Sequence, residues 1–95
     1  MTFGLYSIRD VRTGFMTPAM EANDDAAKRN FAHAVSNSDG ILSSFSADFT
    51  LYRIADFDAD TGIVTPITPI AFVISGSEAS YMQASYMSLR SELDA

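Results

Sequence analysis

The sequence predicts an α+β fold with a mainly antiparallel sheet, and two patterns lead to this class. The first is a repeat, Leu-Tyr-x-Ile-x-Asp followed by Thr-Gly-x-x-Thr-Pro, which occurs at residues 5–18 and again at residues 51–66. The second is a helical spacing of apolar residues between the two copies. A β-hairpin cannot bury its apolar face alone, so we expect two hairpins to share one sheet with the helix packed against it.

The first copy of the repeat predicts a β-hairpin. Residues 3–10 are rich in aromatic and branched side chains and read as a strand. The segment Val11–Gly14 follows as a turn, in which glycine supplies a positive φ. Phe15–Thr17 is expected to return as the second strand. Pro18 marks an edge, a bulge or the end of this strand, because proline has no backbone N–H to donate to a sheet.

A helix is predicted over about residues 24–37. Asn23 is a typical N-cap, and Asp24 and Asp25 fall in the first turn, where the helix dipole favours negative charge. Four apolar residues follow at the spacing i, i+4, i+7 and i+8 and should face the sheet. These are Ala27, Phe31, Ala34 and Val35. The serine-rich residues 41–47 are expected to form a loop.

The second copy of the repeat predicts a longer hairpin. A strand is expected from about Asp48 to Phe57, followed by a turn at Asp58–Gly62 and a return strand at residues 63–66. Residues 67–74 predict an extra strand, which Gly76 ends. We therefore expect residues 1–76 to form one α+β domain. Residues 77–95 would be a C-terminal helix, over about 77–93, or a frayed tail.

Two architectures fit this order of elements. One is the open, mainly antiparallel sheet with a helix packed on it. The other is a small, partly open barrel of the OB type, in which a helix also interrupts a five-stranded series. The strand order that would separate them cannot be read from the sequence.

Charge and composition narrow the classes of function. The formal net charge is −6, and it is concentrated in residues 48–95, which hold two basic and seven acidic side chains. Affinity for nucleic acid depends mainly on cations that neutralise phosphates, so a phosphate-binding field over the whole surface is not expected. The chain has no cysteine, which excludes disulfides and thiolate metal sites. No signal peptide or membrane span is predicted, and we expect a soluble, intracellular protein.

No catalytic, metal or cofactor site is predicted. The acidic turn Asp56–Gly62 begins like a calcium-binding EF-hand loop, but its sixth position is Thr61 and its twelfth is Ile67, where that loop needs Gly and Glu. His33 is the sole histidine, and no Gly-x-Ser-x-Gly motif accompanies it. We therefore expect a protein that is not an enzyme.

Aromatic and basic residues on the predicted hairpins and helix form a candidate binding set for nucleic acid or a protein partner. Single-stranded nucleic acid sites combine aromatic faces with cations. The candidates are Tyr6, Arg9, Arg12, Phe15, Lys28, Arg29, Tyr52 and Arg53. Leu5 and Tyr6 alternate across the strand, as do Leu51 and Tyr52, so each strand has two apolar faces. We expect self-association to cover the second face. The alternatives are the C-terminal helix and nucleic acid.

Four motifs carry a family resemblance over about residues 5–66. They are Tyr-Ser-Ile-x-Asp, Thr-Gly-Phe-x-x-Pro, Asn-Asp-x-x-Ala-x-Arg-x-Phe and Asp-Phe-x-Leu-Tyr. In this combination the chain resembles the small nonstructural protein of gokushovirus-type microviruses, which are single-stranded DNA phages. Residues 77–95 lie outside the resemblance.

The resemblance implies a regulatory phage protein that is absent from the virion and acts in the host bacterial cytoplasm. It would modulate genome replication or packaging through contacts with phage or host proteins, with single-stranded DNA as a further partner. The alternative function is binding of a host factor, as an anti-defence protein would do.

Overall fold

In a computed structural model, residues 1–37 and 40–94 are described, with side chains up to Leu89. This part of the chain contains five strands, three α-helices and one 3-10 turn. In chain order they are β1 (Thr2–Asp10), β2 (Gly14–Phe15), β3 (Ala19–Glu21), α1 (Asp24–Asn37), α2 (Ile41–Ser44), the 3-10 turn (Ser46–Asp48), β4 (Phe49–Asp58), β5 (Val64–Ser75) and α3 (Gly76–Asp94). The predicted α+β class is confirmed.

The sheet is antiparallel and open. Its strand order is β2-β1-β4-β5, and β3 pairs with β1 on the same side as β2. At the centre, β1 and β4 pair from Thr2 opposite Asp58 to Asp10 opposite Phe49. The described strands run from β2 and β3 at one edge to β5 at the other, so they form an open sheet and not the barrel considered as the alternative. Both predicted hairpins, β1–β2 and β4–β5, lie in this one sheet.

Three local predictions need correction. Residues 41–47, expected to be a loop, form α2 and most of the 3-10 turn. The predicted return strand and extra strand are one strand, β5, whose pairing with β4 is interrupted between Pro66 and Ala71. After Pro18 the chain returns to β1 and forms β3, which was not predicted. Proline removes one donor, but the residues that follow it can resume pairing.

The core lies between the helices and one face of the sheet, which we call the covered face. Its buried side chains come from α1, three strands and the start of α3. They are Ala27, Phe31, Ala32 and Val35 from α1, Tyr6, Phe49, Leu51, Val73 and Ile74 from the sheet, and Ala79 from α3. The bounds predicted for α1 are confirmed. Its cap is formed as expected, since the Ala26 N–H donates to Asn23 Oδ1 at 2.8 Å.

The opposite face of the sheet carries large apolar side chains that remain accessible, and we call it the open face. Register and alternation place Phe15, Met20, Val64 and Phe72 on it. All four are exposed, with Phe15 at 51% and Phe72 at 57%. These four side chains are therefore accessible, in contrast to the core side chains on the covered face.

The C-terminal helix is confirmed as α3, which packs along α1. Ala79, the fourth residue of α3, is fully buried, whereas Tyr81 and most of the side chains described after it, up to Leu89, are exposed. Leu93, part of the predicted helical stripe, lies outside the side chains that are described. Among the described helices, none is both long enough and apolar enough to cross a membrane.

Candidate functional site

The structure places the eight predicted binding residues in four locations. Arg9, Phe15 and Tyr52 lie on the open face, and Tyr6 and Arg53 lie on the covered face. Arg12 is in the turn between β1 and β2, and Lys28 and Arg29 are on α1. The predicted binding residues therefore do not form one continuous surface. Three of its members meet on the open face, and the rest have separate surroundings.

On the open face, three rings form a line across the sheet that we call the aromatic row. Phe15 on β2 and Tyr52 on β4 have ring centroids 5.8 Å apart at an interplanar angle of 65°. Tyr52 and Phe72 on β5 are 6.3 Å apart at 84°. Both pairs have the edge-to-face geometry that aromatic rings favour. Phe72 was not among the predicted residues, because only the register of β5 places it opposite Tyr52.

A small residue beneath the row allows its rings to meet. Ser7 lies on β1, between the strands that carry Phe15 and Tyr52, and pairs with Tyr52 across β1 and β4. Its side chain is buried, and its hydroxyl donates to the Met16 carbonyl oxygen at 2.6 Å. A bulky side chain here would compete for the space over β1 that the Phe15 and Tyr52 rings span.

The open face is not acidic, although the chain as a whole is. Among the strand residues that register and alternation place there, Arg9 is the one charged side chain, and it pairs with Phe15. Asp10 points the other way. Its carboxylate accepts hydrogen bonds from the backbone N–H of Arg12 at 2.9 Å and from the Thr13 hydroxyl at 3.0 Å, which stabilises the β1–β2 turn.

A polar cluster on the covered face joins α1 to the sheet. The Tyr6 hydroxyl donates to Asp24 Oδ1 at 2.6 Å, and Arg53 Nη1 lies 3.0 Å from the same oxygen. Arg53 also donates through Nε to Asp56 Oδ1 at 2.9 Å. The guanidinium carbon of Arg53 lies 5.6 Å from the centroid of the Tyr6 ring. Tyr6 and Arg53 are thus engaged within the chain, and Tyr6 is only 2% exposed.

This cluster shifts two ionisation equilibria. Burial, together with the hydrogen bond to Asp24, raises the pKa of Tyr6 to about 12. The hydrogen bonds from Tyr6 and Arg53 lower the pKa of Asp24. At neutral pH the cluster therefore contains the neutral Tyr6 phenol, the Arg53 cation and the Asp24 carboxylate. Because these groups join α1 to the sheet, we interpret the cluster as a structural link.

Alkaline titration should detect the Tyr6 contact. Because the folded pKa of Tyr6 is raised above the unfolded value of about 10, its contribution to stability is complete below pH 10 and is lost as the pH rises towards 12. We expect the wild type to lose on the order of 2 kcal/mol of unfolding free energy over this range through Tyr6. Tyr6→Phe should lack this loss, and a wild-type-minus-variant absorbance titration should show a step near pH 12. Equal alkaline destabilisation of both proteins would contradict the assignment.

Comparison with protein families identifies the chain. A family model described as phage ORF5 protein matches residues 3–79. The chain belongs to the phage ORF5 protein family. The match spans both faces of the sheet and α1, and it ends at Ala79, which α3 buries fully in the core. No curated protein and no solved structure matches the chain.

In this ORF5-family protein, the acidic side chains of the β4–β5 turn stabilise the backbone of that turn. The Asp60 N–H donates to Asp58 Oδ1 at 2.9 Å, and this bond lowers the pKa of Asp58. Gly62 has a φ of 76°, a left-handed value that favours glycine. Among the side chains described, in residues 1–37 and 40–89, no three His, Asp or Glu residues group in a way that could hold a metal ion.

Proposed function

We propose that this phage ORF5 protein binds single-stranded DNA on the open face of its sheet. It would act without catalysis in the replication or packaging of the genome of a microvirus-type phage. The aromatic row carries this proposal. Aromatic rings on an accessible sheet are the platform on which several nucleic-acid-binding modules stack unpaired bases.

The dimensions of the row suit a short length of single strand. Its three rings stand on β2, β4 and β5, and successive centroids are 5.8 Å and 6.3 Å apart. Every base has a ring face, so stacking on such a row tolerates any sequence and contributes about 1–3 kcal/mol per base. We infer that two or three successive bases would be held this way.

Arg9 and Arg12 are the cations best placed to meet the phosphates. Arg9 lies on the open face opposite Phe15, and Arg12 is exposed in the adjoining turn, where its Nε lies 3.9 Å from Asp48 Oδ2. Contacts with single strands lower log K by about 0.7 per neutralised phosphate for each tenfold rise in salt. Two such contacts predict a slope of about −1.4, which is shallow. With a net charge of −6, binding should depend more on stacking than on charge.

A protein partner is the second candidate for the same face. Beyond the row, the open face continues with apolar side chains towards the β4–β5 turn. They include Phe3, Leu5, Met20, Phe57 and Val64. Met20 and Val64 are exposed and the other three are half-buried. Contiguous apolar surface that remains accessible is typical of protein interfaces. The alternative function, binding of a phage or host factor, would use this patch.

A titration with a fluorescently labelled oligodeoxythymidine separates the candidates. We expect micromolar binding by the wild type, and a loss of about tenfold or more for Phe72→Ala, which removes one stacking ring. Phe45→Ala is the matched control, because Phe45 is similarly exposed but lies between α2 and the 3-10 turn. A folded wild type that does not bind at low salt, or Phe72→Ala binding like the wild type, would overturn the DNA proposal in favour of a protein partner.

The salt dependence tests the role of Arg9. Arg9→Ala should reduce the slope of log K against log salt by about 0.7, whereas Arg9→Lys should retain it. Because Arg9 is exposed, neither change should affect folding. An unchanged slope in Arg9→Ala would place the phosphates elsewhere.

A further inference from the structure

The helix α3 extends beyond the helix on which it packs. At about 1.5 Å per residue, the 19 residues of α3 span about 28 Å and the 14 residues of α1 about 21 Å. Exposure rises along one line of α3, from 0% at Ala79 to 38% at Met82, 56% at Tyr86 and 58% at Leu89. The second half of α3 therefore carries an apolar line without cover from the described residues.

The spacing along this line is that of a helix-pairing seam. Ala79, Met82, Tyr86 and Leu89 are separated by three, four and three residues. This is the a/d spacing at which helices pair side by side. Ala79 begins the line in the core, and we call the exposed continuation, Met82, Tyr86 and Leu89, the α3 seam. A contact that starts within the chain thus continues on its surface.

A groove with a basic wall lies beside the α3 seam. A cavity of about 520 Å³ is lined by Arg29 and His33 of α1 and by Met82, Gln83 and Tyr86 of α3. A second cavity of about 530 Å³, which also contacts Met82, is lined by both Lys28 and Glu78. No ion pair among the described residues involves Lys28 or Arg29. The cavity beside Tyr86 therefore combines apolar surface with the positive charge of Arg29, and no acidic residue among those described lines it.

We propose that α3 of a second copy of this chain docks along the α3 seam and the groove to form a two-fold dimer. Such an occupant needs an apolar line at helical spacing and a negative charge. α3 supplies both, since Gly76–Asp94 contains three acidic residues and one basic residue, a net of −2. In a two-fold dimer each copy presents the same patch, so the contact closes on itself and growth stops at two.

The proposed contact leaves the open face accessible. The groove is formed by α1 and α3, whose buried side chains pack on the covered face. The dimer therefore does not depend on DNA binding, and either proposal can fail alone. The paired segment is short and its interface small, so we expect a dimer that dissociates at micromolar concentrations.

Sedimentation velocity over a range from low to high micromolar tests the dimer. The wild type should change from monomer to dimer as its concentration rises. Leu89→Glu should weaken association by about tenfold or more, because it places a charge in an apolar seam. Ile63→Glu is the matched control, since Ile63 is 60% exposed but lies at the β4–β5 turn, and it should associate like the wild type.

Charge reversal in the groove provides a second test of the dimer, at a residue outside the α3 seam. Arg29→Glu should also weaken the dimer, and circular dichroism should show that its helices remain intact. A monomer at all concentrations would overturn the proposal. So would a dimer that tolerates both Leu89→Glu and Arg29→Glu, or one that Phe72→Glu abolishes, since that would place the interface on the open face.

Discussion

Gly76→Ala is expected to destabilise the protein by about 3 kcal/mol or more, a large share of the roughly 5–14 kcal/mol typical of a chain of this length. A Cβ atom at this position would overlap the carbonyl oxygen of Ser46. It would also lie 2.8 Å from the Ser46 carbonyl carbon and 3.0 Å from the Phe49 carbonyl oxygen. All three are backbone atoms, which cannot rotate away as a side chain can. The junction of β5 and α3 would have to move off the 3-10 turn.

Urea unfolding monitored by circular dichroism measures this cost, and Gly62→Ala is its control. Gly62 has a positive φ but nothing within 4 Å of a Cβ atom, so alanine there should cost only about 1 kcal/mol of backbone strain. If Gly76→Ala cost no more than Gly62→Ala, the close approach between Gly76 and the 3-10 turn would be wrong.

The second large effect is expected for Phe31→Ala, at about 3–5 kcal/mol. Phe31 is the largest side chain that α1 buries in the core. It already borders a cavity of about 160 Å³ shared with Tyr6 and Leu51, so truncation would enlarge a space that the neighbours do not fill.

Thermal and urea unfolding provide the measurement for Phe31→Ala. Phe45→Ala removes the same ring from an exposed position and should cost less than about 1 kcal/mol. A Phe31 variant within 1 kcal/mol of the wild type would mean that α1 is not held on the sheet by this ring.

The elements that sequence patterns located correctly are those determined by nearby residues. The apolar spacing and the cap at Asn23 define α1 within a few turns of chain. Gly14 and Gly62 mark the two hairpin turns because both adopt positive φ, 95° and 76°. Such signals act over short separations, and a single sequence contains them in full.

Strand register depends on residues far apart, and no local pattern revealed it. The two copies of the repeat show this directly. Tyr6 and Tyr52 occupy the same place in the repeat, yet Tyr6 is buried on the covered face and Tyr52 lies in the aromatic row. The copies form two hairpins of one sheet, but the Leu-Tyr pair that begins each copy faces opposite sides in the two, so they are not two copies of one site.

The candidate site was predicted only in part for the same reason. Arg9, Phe15 and Tyr52 were chosen from residue type, and pairing brought them to one face. Phe72 was missed because residues 67–74 were predicted as a strand separate from the return strand that ends at Pro66, and only the observed register pairs Phe72 with Tyr52. Tyr6 and Arg53 have the same chemistry as the row residues, but their partner Asp24 is distant in sequence, and only the fold shows that they are engaged.

The two prolines in β5 also bear on how this protein avoids aggregation through the edges of its sheet. β5 is the outer strand of the sheet, and the outer strand of an open sheet can recruit another chain by backbone pairing, which leads to aggregation. Pro66 and Pro69 have no N–H to offer an incoming strand, and the segment between Pro66 and Ala71 departs from regular pairing. The opposite edge is divided into the short strands β2 and β3. Neither edge of the sheet offers a long, regular strand for another chain to pair with. Aggregation by strand addition is therefore disfavoured at both edges.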